Sequence, residues 1–299
     1  MAPEAKREPL VYLDGEWVAA GRAQVSVFDH GLLYGDGVFE GIRAYGGSVF
    51  ALDAHVRRLY ESAHSILLDV GMPEADMAAR IEEAVARNGL TDAYVRVLVT
   101  RGKGDLGLDP RKCPRATVVV IADAIALYPQ SLYDSGLKAI TVSLRRTSVD
   151  ALSPRVKSLN YLNSIMAKQQ AIAAGAAEAI LLGPEGYPIE ASGENLFIVR
   201  HGRVLTPPVY LGVLEGITRA TVLDLARAAG HPTVEEPFTL HDLYVADECF
   251  LTGTAAEIMP VVEVDGRRVG DGRPGPITRS LTAAFRAFTT RGGVAAPRA

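Results

Sequence analysis

The chain has 299 residues, 48% hydrophobic and 22% charged, a composition that builds a substantial core and a length that suggests about two domains. A net charge of −4 and a pI near 5.9, with basic residues scattered, leave no electrostatic case for nucleic acid or an anionic membrane. No run reaches the ~18 apolar residues of a membrane helix, and the charged stretch MAPEAKREPLVYLDG lacks a signal-peptide core, so a cytoplasmic protein is expected.

In chain order, residues 10–13 and 16–19 flank Asp14-Gly15, a two-residue hairpin signal. The next stretch, VSVFDHGLLYGDGVFEGIRAYGGSVFAL, alternates β-type residues broken by Gly31, Gly35, Gly37 and Gly41. It reads either as a plain glycine-rich meander or as strands whose backbone a ligand approaches. Asp53 is expected to cap a helix with an apolar face of Val56, Leu59, Ala63, Ile66, Leu67 and Val70, stopped by Gly71. Adjacent helical residues point in different directions, so only one of Arg57 and Arg58 need face inward. A second helix over 73–88 and strands over 94–100 and 117–122 complete an α+β unit spanning residues 1–125. Between those strands, residues 102–107 match GxGxxG, but LDPRKCP follows where a dinucleotide site needs a helix, so this is a loop.

Residues 126–135 are expected to form an interdomain loop, and 136–299 a larger domain. Its strand over 137–144 precedes a loop holding Lys157. A helix over 160–174, a strand over 178–182, the EASGEN turn with Glu190 and Glu194, and a hairpin over 195–205 follow. A helix opens at LEGITR (214–219), and a strand over 248–251 runs into Thr252-Gly253-Thr254; the final RGGVAAPRA reads as a frayed tail. Cys113 and Cys249 have no CxxC or Cys/His spacing, which suits a reducing compartment, and the histidines lack ligand spacing, so no metal is expected.

A lone lysine is ordinarily a solvated surface group. A lysine and a carboxylate on loops above a sheet, however, suit one demanding chemistry. The amine holds the aldehyde of pyridoxal phosphate as a Schiff base, and the carboxylate keeps the pyridine nitrogen protonated. Spacing does not choose between Glu190 and Glu194. Gly216-Ile217-Thr218, at a helix start, is a candidate phosphate cup, although Thr218 also reads as a simple N-cap. Thr252-Gly253-Thr254 offers further hydroxyls and amides, or is a polar turn.

Together, YGDGVFEGIR (34–43), HVRRLYESA (55–63), AYVR (93–96), KSLNYLN (157–163), EASGENLFIV (190–199), LEGITR (214–219) and FLTGTAAEI (250–258) resemble, in order, a class IV aminotransferase of pyridoxal phosphate fold type IV, specifically the branched-chain amino acid group. The resemblance implies an α+β, two-domain fold, a small α+β domain beside a larger one with a β-barrel-like core flanked by helices. It implies Lys157 as the Schiff-base lysine, Glu190 at the pyridine nitrogen, Tyr161 at the phenolic oxygen, and Arg58, Ile217, Thr218 and Thr254 at the phosphate. For the substrate it implies the amides of Thr254 and Ala255 at the α-carboxylate with Tyr94 and Arg96 nearby. Tyr34, Phe39, Gly41 and Tyr128 would line the side-chain pocket, and Leu106 and Leu108 would reach the neighbouring subunit of a homodimer. The substrates implied are branched-chain L-amino acids and 2-oxo acids. D-amino acid aminotransferases, (R)-amine transaminases and 4-amino-4-deoxychorismate lyase share the fold. Tyr94-x-Arg96 favours the L-branched-chain group, whereas Val97 stands where better-known members have proline, and the segment between Lys157 and Tyr161 is short. A cofactor-free scaffold of the same fold is a further alternative, at odds with the presence of both Lys157 and Glu190.

Overall fold

A computed structural model describes residues 8–125 and 128–290. The RGGVAAPRA tail, the first residues of the chain and the first two residues of the expected linker, Ala126 and Leu127, lie outside the described residues. The chain forms two compact units, one of residues up to 125 together with 157–159, the other of the remainder.

The first unit holds β1 (Leu10–Leu13), β2 (Glu16–Ala19), α1 (His30–Tyr34), β3 (Gly37–Tyr45), β4 (Ser48–Val49), α2 (Leu52–Ser65), α3 (Glu74–Arg87), β5 (Ala93–Thr100) and β6 (Thr117–Asp123). Its antiparallel sheet has the order β2-β1-β6-β5-β3-β4. Asp14 and Gly15 take positive φ and set β1 against β2 with Leu13 opposite Glu16, as the hairpin signal requires. The glycine-rich stretch is not all strand. Asp29 accepts a hydrogen bond from the Gly31 amide (2.8 Å), and Gly35 closes the short α1 in the left-handed region, so a local cap overrides the β-type alternation. Helix α2 ends at Ser65 rather than near Val70, and Ala51, not Asp53, precedes it; Asp53 lies in its first turn. Leu67 has positive φ and stands exposed, which breaks the expected apolar face. In β5, Val95, Val97 and Val99 are buried, and Val97 pairs with Glu40 on one side and Val120 on the other. The GxGxxG stretch forms no helix beyond a single 3-10 turn at Pro110–Lys112.

The second unit holds α4 (Gln130–Ser135), β7 (Leu137–Arg145), α5 (Leu162–Ala173), β8 (Glu178–Leu182), β9 (Pro188–Ala191), β10 (Asn195–Arg200), β11 (Arg203–Thr206), α6 (Ile217–Ala228), β12 (Thr233–Glu235), α7 (Leu240–Tyr244), β13 (Glu248–Gly253), β14 (Glu257–Val264), β15 (Arg267–Arg268) and α8 (Pro276–Thr290). Residues 130–135 are thus a helix rather than a loop; Pro129 precedes its first turn, and Gly136 at φ 80° ends it. Strands pair in the order β10-β13-β14-β7-β8-β9, and β9 pairs back to β10, closing a six-stranded barrel that β11 and β12 extend. Its interior is packed with Leu137, Ile180, Leu196, Ile198, Leu251 and Met259, among others. Glu190 lies on β9, opposite Asn195, rather than in the turn; only Glu194 is in the turn.

Candidate active site

In the first unit the lysine is mounted by strand pairing. The order β5-β3-β4 leaves the start of β3 open, because β4 pairs only with Ala44 and Tyr45. Residues 157–159 occupy that edge: the Phe39 amide donates to Lys157 O and the Leu159 amide to Gly37 O, both at 2.9 Å. Ser62 on α2 accepts from the Lys157 amide (3.1 Å). Three backbone ties therefore fix the Cα of Lys157, and its Nζ lies 4.7 Å from the centroid of the Phe39 ring. The Arg96 guanidinium lies 4.6 Å from the same centroid. Phe39, Gly41 and Arg43 alternate along β3 opposite Leu98, Arg96 and Tyr94, so these side chains share one face of the sheet. A Cβ at position 41 would collide with the Tyr94 hydroxyl, which is why glycine is needed there.

The opposite face carries Glu40, fully buried. Arg58 grips it with Nε to Oε1 (2.7 Å) and Nη2 to Oε2 (2.8 Å), and His55 Nδ1 lies 2.8 Å from Oε2. Burial alone would raise the carboxyl pKa, but the Arg58 charge and the His55 contact outweigh it and hold Glu40 well below the usual range. Burial lowers the His55 pKa, with Glu40 opposing, and a ring nitrogen facing a carboxylate oxygen makes Nδ1–H the donor. Arg58 is the inward member of the arginine pair, and Arg57 is exposed. Neither Glu40 nor His55 was singled out from the sequence, although their place within FEGIR and HVRR put both beside chosen residues.

On the loops of this unit, the Tyr34 hydroxyl donates to Leu106 O (2.5 Å), while Leu106 and Leu108 stand 69% and 78% exposed.

In the second unit, Glu190 is held at both oxygens. Arg146 Nη2 lies 2.6 Å from Oε1, and Oε2 accepts from the Leu214 amide (3.1 Å) and from Asn195 Nδ2 (3.3 Å). Asn195 also donates to Leu214 O (3.0 Å), and a Cβ on Gly216 would collide with its Oδ1. One amide side chain thus joins Glu190 to the loop that opens α6. That helix starts at Gly216, whose lack of a side chain leaves the first amides, those of Ile217 and Thr218, without a side-chain cap. In the ladder, Glu190, Asn195 and Thr252 lie in one row across β9, β10 and β13, and Thr252 Oγ1 is buried with no partner. Thr254 and Ala255 follow in the turn after β13, and Tyr161 sits just before α5. Tyr128 is half-buried, with its hydroxyl 3.1 Å from Glu178 and 3.4 Å from Glu194. Arg146, Asn195 and Glu178 also escaped the sequence reading. Arg146 and Tyr128 reach their carboxylates from distant segments, and only Asn195, five residues from Glu190 inside the EASGEN motif, carried a signal.

Among the described residues, no group of His, Cys, Asp and Glu is arranged to hold a metal, and no helix is long and apolar enough to cross a membrane.

Residues 37–264 match the family described as amino-transferase class IV. A relative from Methanocaldococcus jannaschii is 54% identical over 284 residues, covering 95% of this chain and 98% of its own. The crystal structure of Escherichia coli branched-chain amino acid aminotransferase superposes with a TM-score of 0.93 at 34% identity, covering 96% of both chains. The branched-chain amino acid aminotransferase from Thermobaculum terrenum, solved in its PLP-form, gives 0.88 at 30% identity, again over 96% of both.

Proposed function

This chain belongs to the amino-transferase class IV family, and on that premise we propose that it exchanges the amino group of L-leucine, L-isoleucine or L-valine with 2-oxoglutarate, using pyridoxal 5'-phosphate. The observation that carries this reading is the mounting of Lys157 on the open edge of β3 with its amine over Phe39, in a chain that matches the class IV family over most of its length.

The residues present fit the cofactor. Lys157 offers a primary amine, the head of α6 offers uncapped amides to a phosphate, and Thr252 contributes an unpartnered buried hydroxyl in the row of Glu190. Bound pyridoxal phosphate supplies an electron sink for charge released at the substrate Cα. Lys157 Nζ would hold the cofactor aldehyde and, once released, would carry the proton to and from the substrate Cα. Glu190, oriented by Arg146 and Asn195, accepts the pyridine N–H. The Tyr161 hydroxyl binds the phenolic oxygen. Arg58, the Ile217 amide and the Thr218 and Thr254 hydroxyls would hold the phosphate, and Glu40 keeps the Arg58 guanidinium in place. The Thr254 and Ala255 amides would receive the substrate carboxylate, and Tyr94 and Arg96 are assigned to the substrate as well. Phe39, Tyr34, Gly41 and Tyr128 are the residues this reading assigns to the side-chain pocket, an aromatic set suited to an aliphatic side chain.

In this reading the protein is a cytoplasmic homodimer. Val27, Phe28 and Leu32, on α1 and the segment before it, and Leu106 and Leu108, on the loop after β5, are exposed, and the two stretches are tied by the Tyr34–Leu106 bond and by the Gly104 amide to Phe28 O (3.1 Å). A second copy is the occupant that such a patch suits. Converting Leu106 and Leu108 together to Asp is expected to yield a monomer by sedimentation; an unchanged dimer would count against this face.

The functional test is spectroscopic and kinetic. Purified protein is expected to show a visible cofactor band that L-leucine bleaches and that D-alanine and (R)-1-phenylethylamine leave intact. Lys157→Ala is expected to abolish turnover. Bleaching by D-alanine instead, or near-normal rates in the alanine variant, would overturn the assignment.

A further inference from the structure

A second buried cluster in the barrel unit has only one member, Tyr128, among the residues given roles above. It contains Lys168 on α5, Glu178 at the start of β8, Glu194 in the turn between β9 and β10, and Tyr128. Glu178 and Glu194 are 1% and 8% exposed.

The two carboxylates are supported unequally. Glu178 Oε2 faces Lys168 Nζ (2.6 Å) and the Tyr128 hydroxyl (3.1 Å), while Oε1 accepts the amides of Ala179 (2.8 Å) and Ser192 (3.2 Å). Four donors, one of them charged, stabilise its ionised form. Glu194 has the Gly193 amide at Oε2 (3.2 Å) and, at Oε1, only the Tyr128 hydroxyl at 3.4 Å. A phenol has one proton, and the shorter contact assigns it to Glu178. With a proton on Glu194 the three side chains line up as a chain, Glu194 facing the Tyr128 oxygen at 3.4 Å and the Tyr128 hydroxyl donating to Glu178 at 3.1 Å.

The electrostatics agree. The ionisable groups acting on Glu194 are Glu178 from β8, Lys168 from α5 and Tyr128 from the segment before α4. Burial and the Glu178 charge push its pKa up to about 7, with Lys168, the Gly193 amide and the Tyr128 hydroxyl opposing.

The location gives this cluster its consequence. A Cβ on Gly253 would stand 3.1 Å from Glu194 Cγ and 3.6 Å from Gly193 O, so Glu194 packs beneath the turn that begins at Gly253. That turn contains Thr254 and Ala255, whose amides receive the substrate carboxylate in the reading above, on which this inference rests.

We propose that Glu194 is a positioning residue for substrate: as a neutral acid it locks the Tyr128 hydroxyl into the chain to Glu178 and keeps negative charge away from the underside of the carboxylate-binding turn at Gly253–Ala255. Every substrate of the exchange, amino acid or oxo acid, carries that carboxylate. Ionisation of Glu194 therefore weakens binding of both partners and leaves the cofactor in place.

The test compares wild-type holoenzyme with Glu194→Gln, a neutral isostere, from pH 5.5 to 8.5. The readouts are KM and kcat for L-leucine and for 2-oxoglutarate, with cofactor absorbance reporting loading. Wild type is expected to show KM for both rising about tenfold as pH climbs through 7, the scale of one unscreened charge nearby. Glu194→Gln is expected to keep the low-pH KM throughout, with loading unchanged and kcat within about threefold. A KM profile in the Gln variant parallel to that of wild type would overturn the proposal, whereas loss of cofactor band and turnover together in wild type would indict the functional reading instead. Should the Gln variant fail to fold, difference infrared spectra of wild-type holoenzyme between pH 6 and 8.5 serve. They are expected to lose one protonated carboxyl band, and absence of such a band at pH 6 would overturn the proposal.

Discussion

Each unit buries a glutamate among polar partners, and the two solve the same desolvation problem in opposite ways. Glu40 meets a guanidinium and an imidazole N–H, so the charged form is stabilised despite complete burial. Glu194 meets a phenol and lies near a second carboxylate whose cation is already engaged, so the neutral form is stabilised. Burial raises both carboxyl pKa values; the sign of the nearest charge decides the outcome. A permanently ionised glutamate is a fixed anchor, here for Arg58. A glutamate near its midpoint is a group whose charge depends on conditions.

The strongest way to break the comparison is to remove one side of the permanent pair. Glu40→Leu leaves Arg58 buried without its counter-charge and is expected to cost about 3–5 kcal/mol of unfolding free energy in denaturant titrations. Glu40→Leu combined with Arg58→Met should recover most of that. The pH dependence sharpens this. Because the folded pKa of Glu40 lies below its ordinary value of 4.5, its stabilisation is complete above that value and lost as pH falls toward the folded value. The stability gap between wild type and Glu40→Gln should therefore narrow in acid. His55→Phe, which removes a hydrogen bond to a charged group, is expected to cost about 1.5–3 kcal/mol.

The smallest effect has the opposite sign. The folded pKa of Glu194 is raised, so its contribution is complete below the unfolded carboxyl value and lost as pH rises to about 7. Glu194→Gln is expected to melt ~2–4 °C above wild type at pH 8 and no higher at pH 5 by calorimetry. A gain at both pH values would mean that the carboxyl group is not titrating.

Much of this molecule was legible in the sequence wherever the determinant was local. Asp14-Gly15 specified its hairpin by positive φ, and the prolines after Gly107 ruled out a nucleotide-binding helix. The β-type run in AYVRVLVT reads as a strand over 94–100, and β5 spans Ala93–Thr100. The failures have physical causes. Helix α1 was hidden because a single Asp29 cap outweighed a β-type composition. Helix α8 was not foreseen because threonines fill two of its buried positions, Thr278 and Thr289, diluting the stripe completed by Leu281 and Phe285. Glu190 was expected in a turn because its strand, β9, is short. Closure of the barrel and the pairings Glu40–Arg58, Glu178–Tyr128 and Glu190–Arg146 join separate segments in ways that no periodicity encodes. The motifs pointed to Lys157, Glu190 and Arg58; they did not reveal what holds Glu190 and Arg58 still.

The pairing of residues 157–159 with β3 also has a consequence for biogenesis. While the chain is being synthesised, the residues of the first sheet emerge well before this segment, and until it arrives the start of β3 presents unpaired amides and carbonyls. Such an edge is a template for pairing with other nascent chains. A fragment ending at residue 125 would keep that edge permanently, so it should aggregate more readily than a fragment that carries the Lys157 segment, and chaperone demand should fall once Leu159 has left the ribosome.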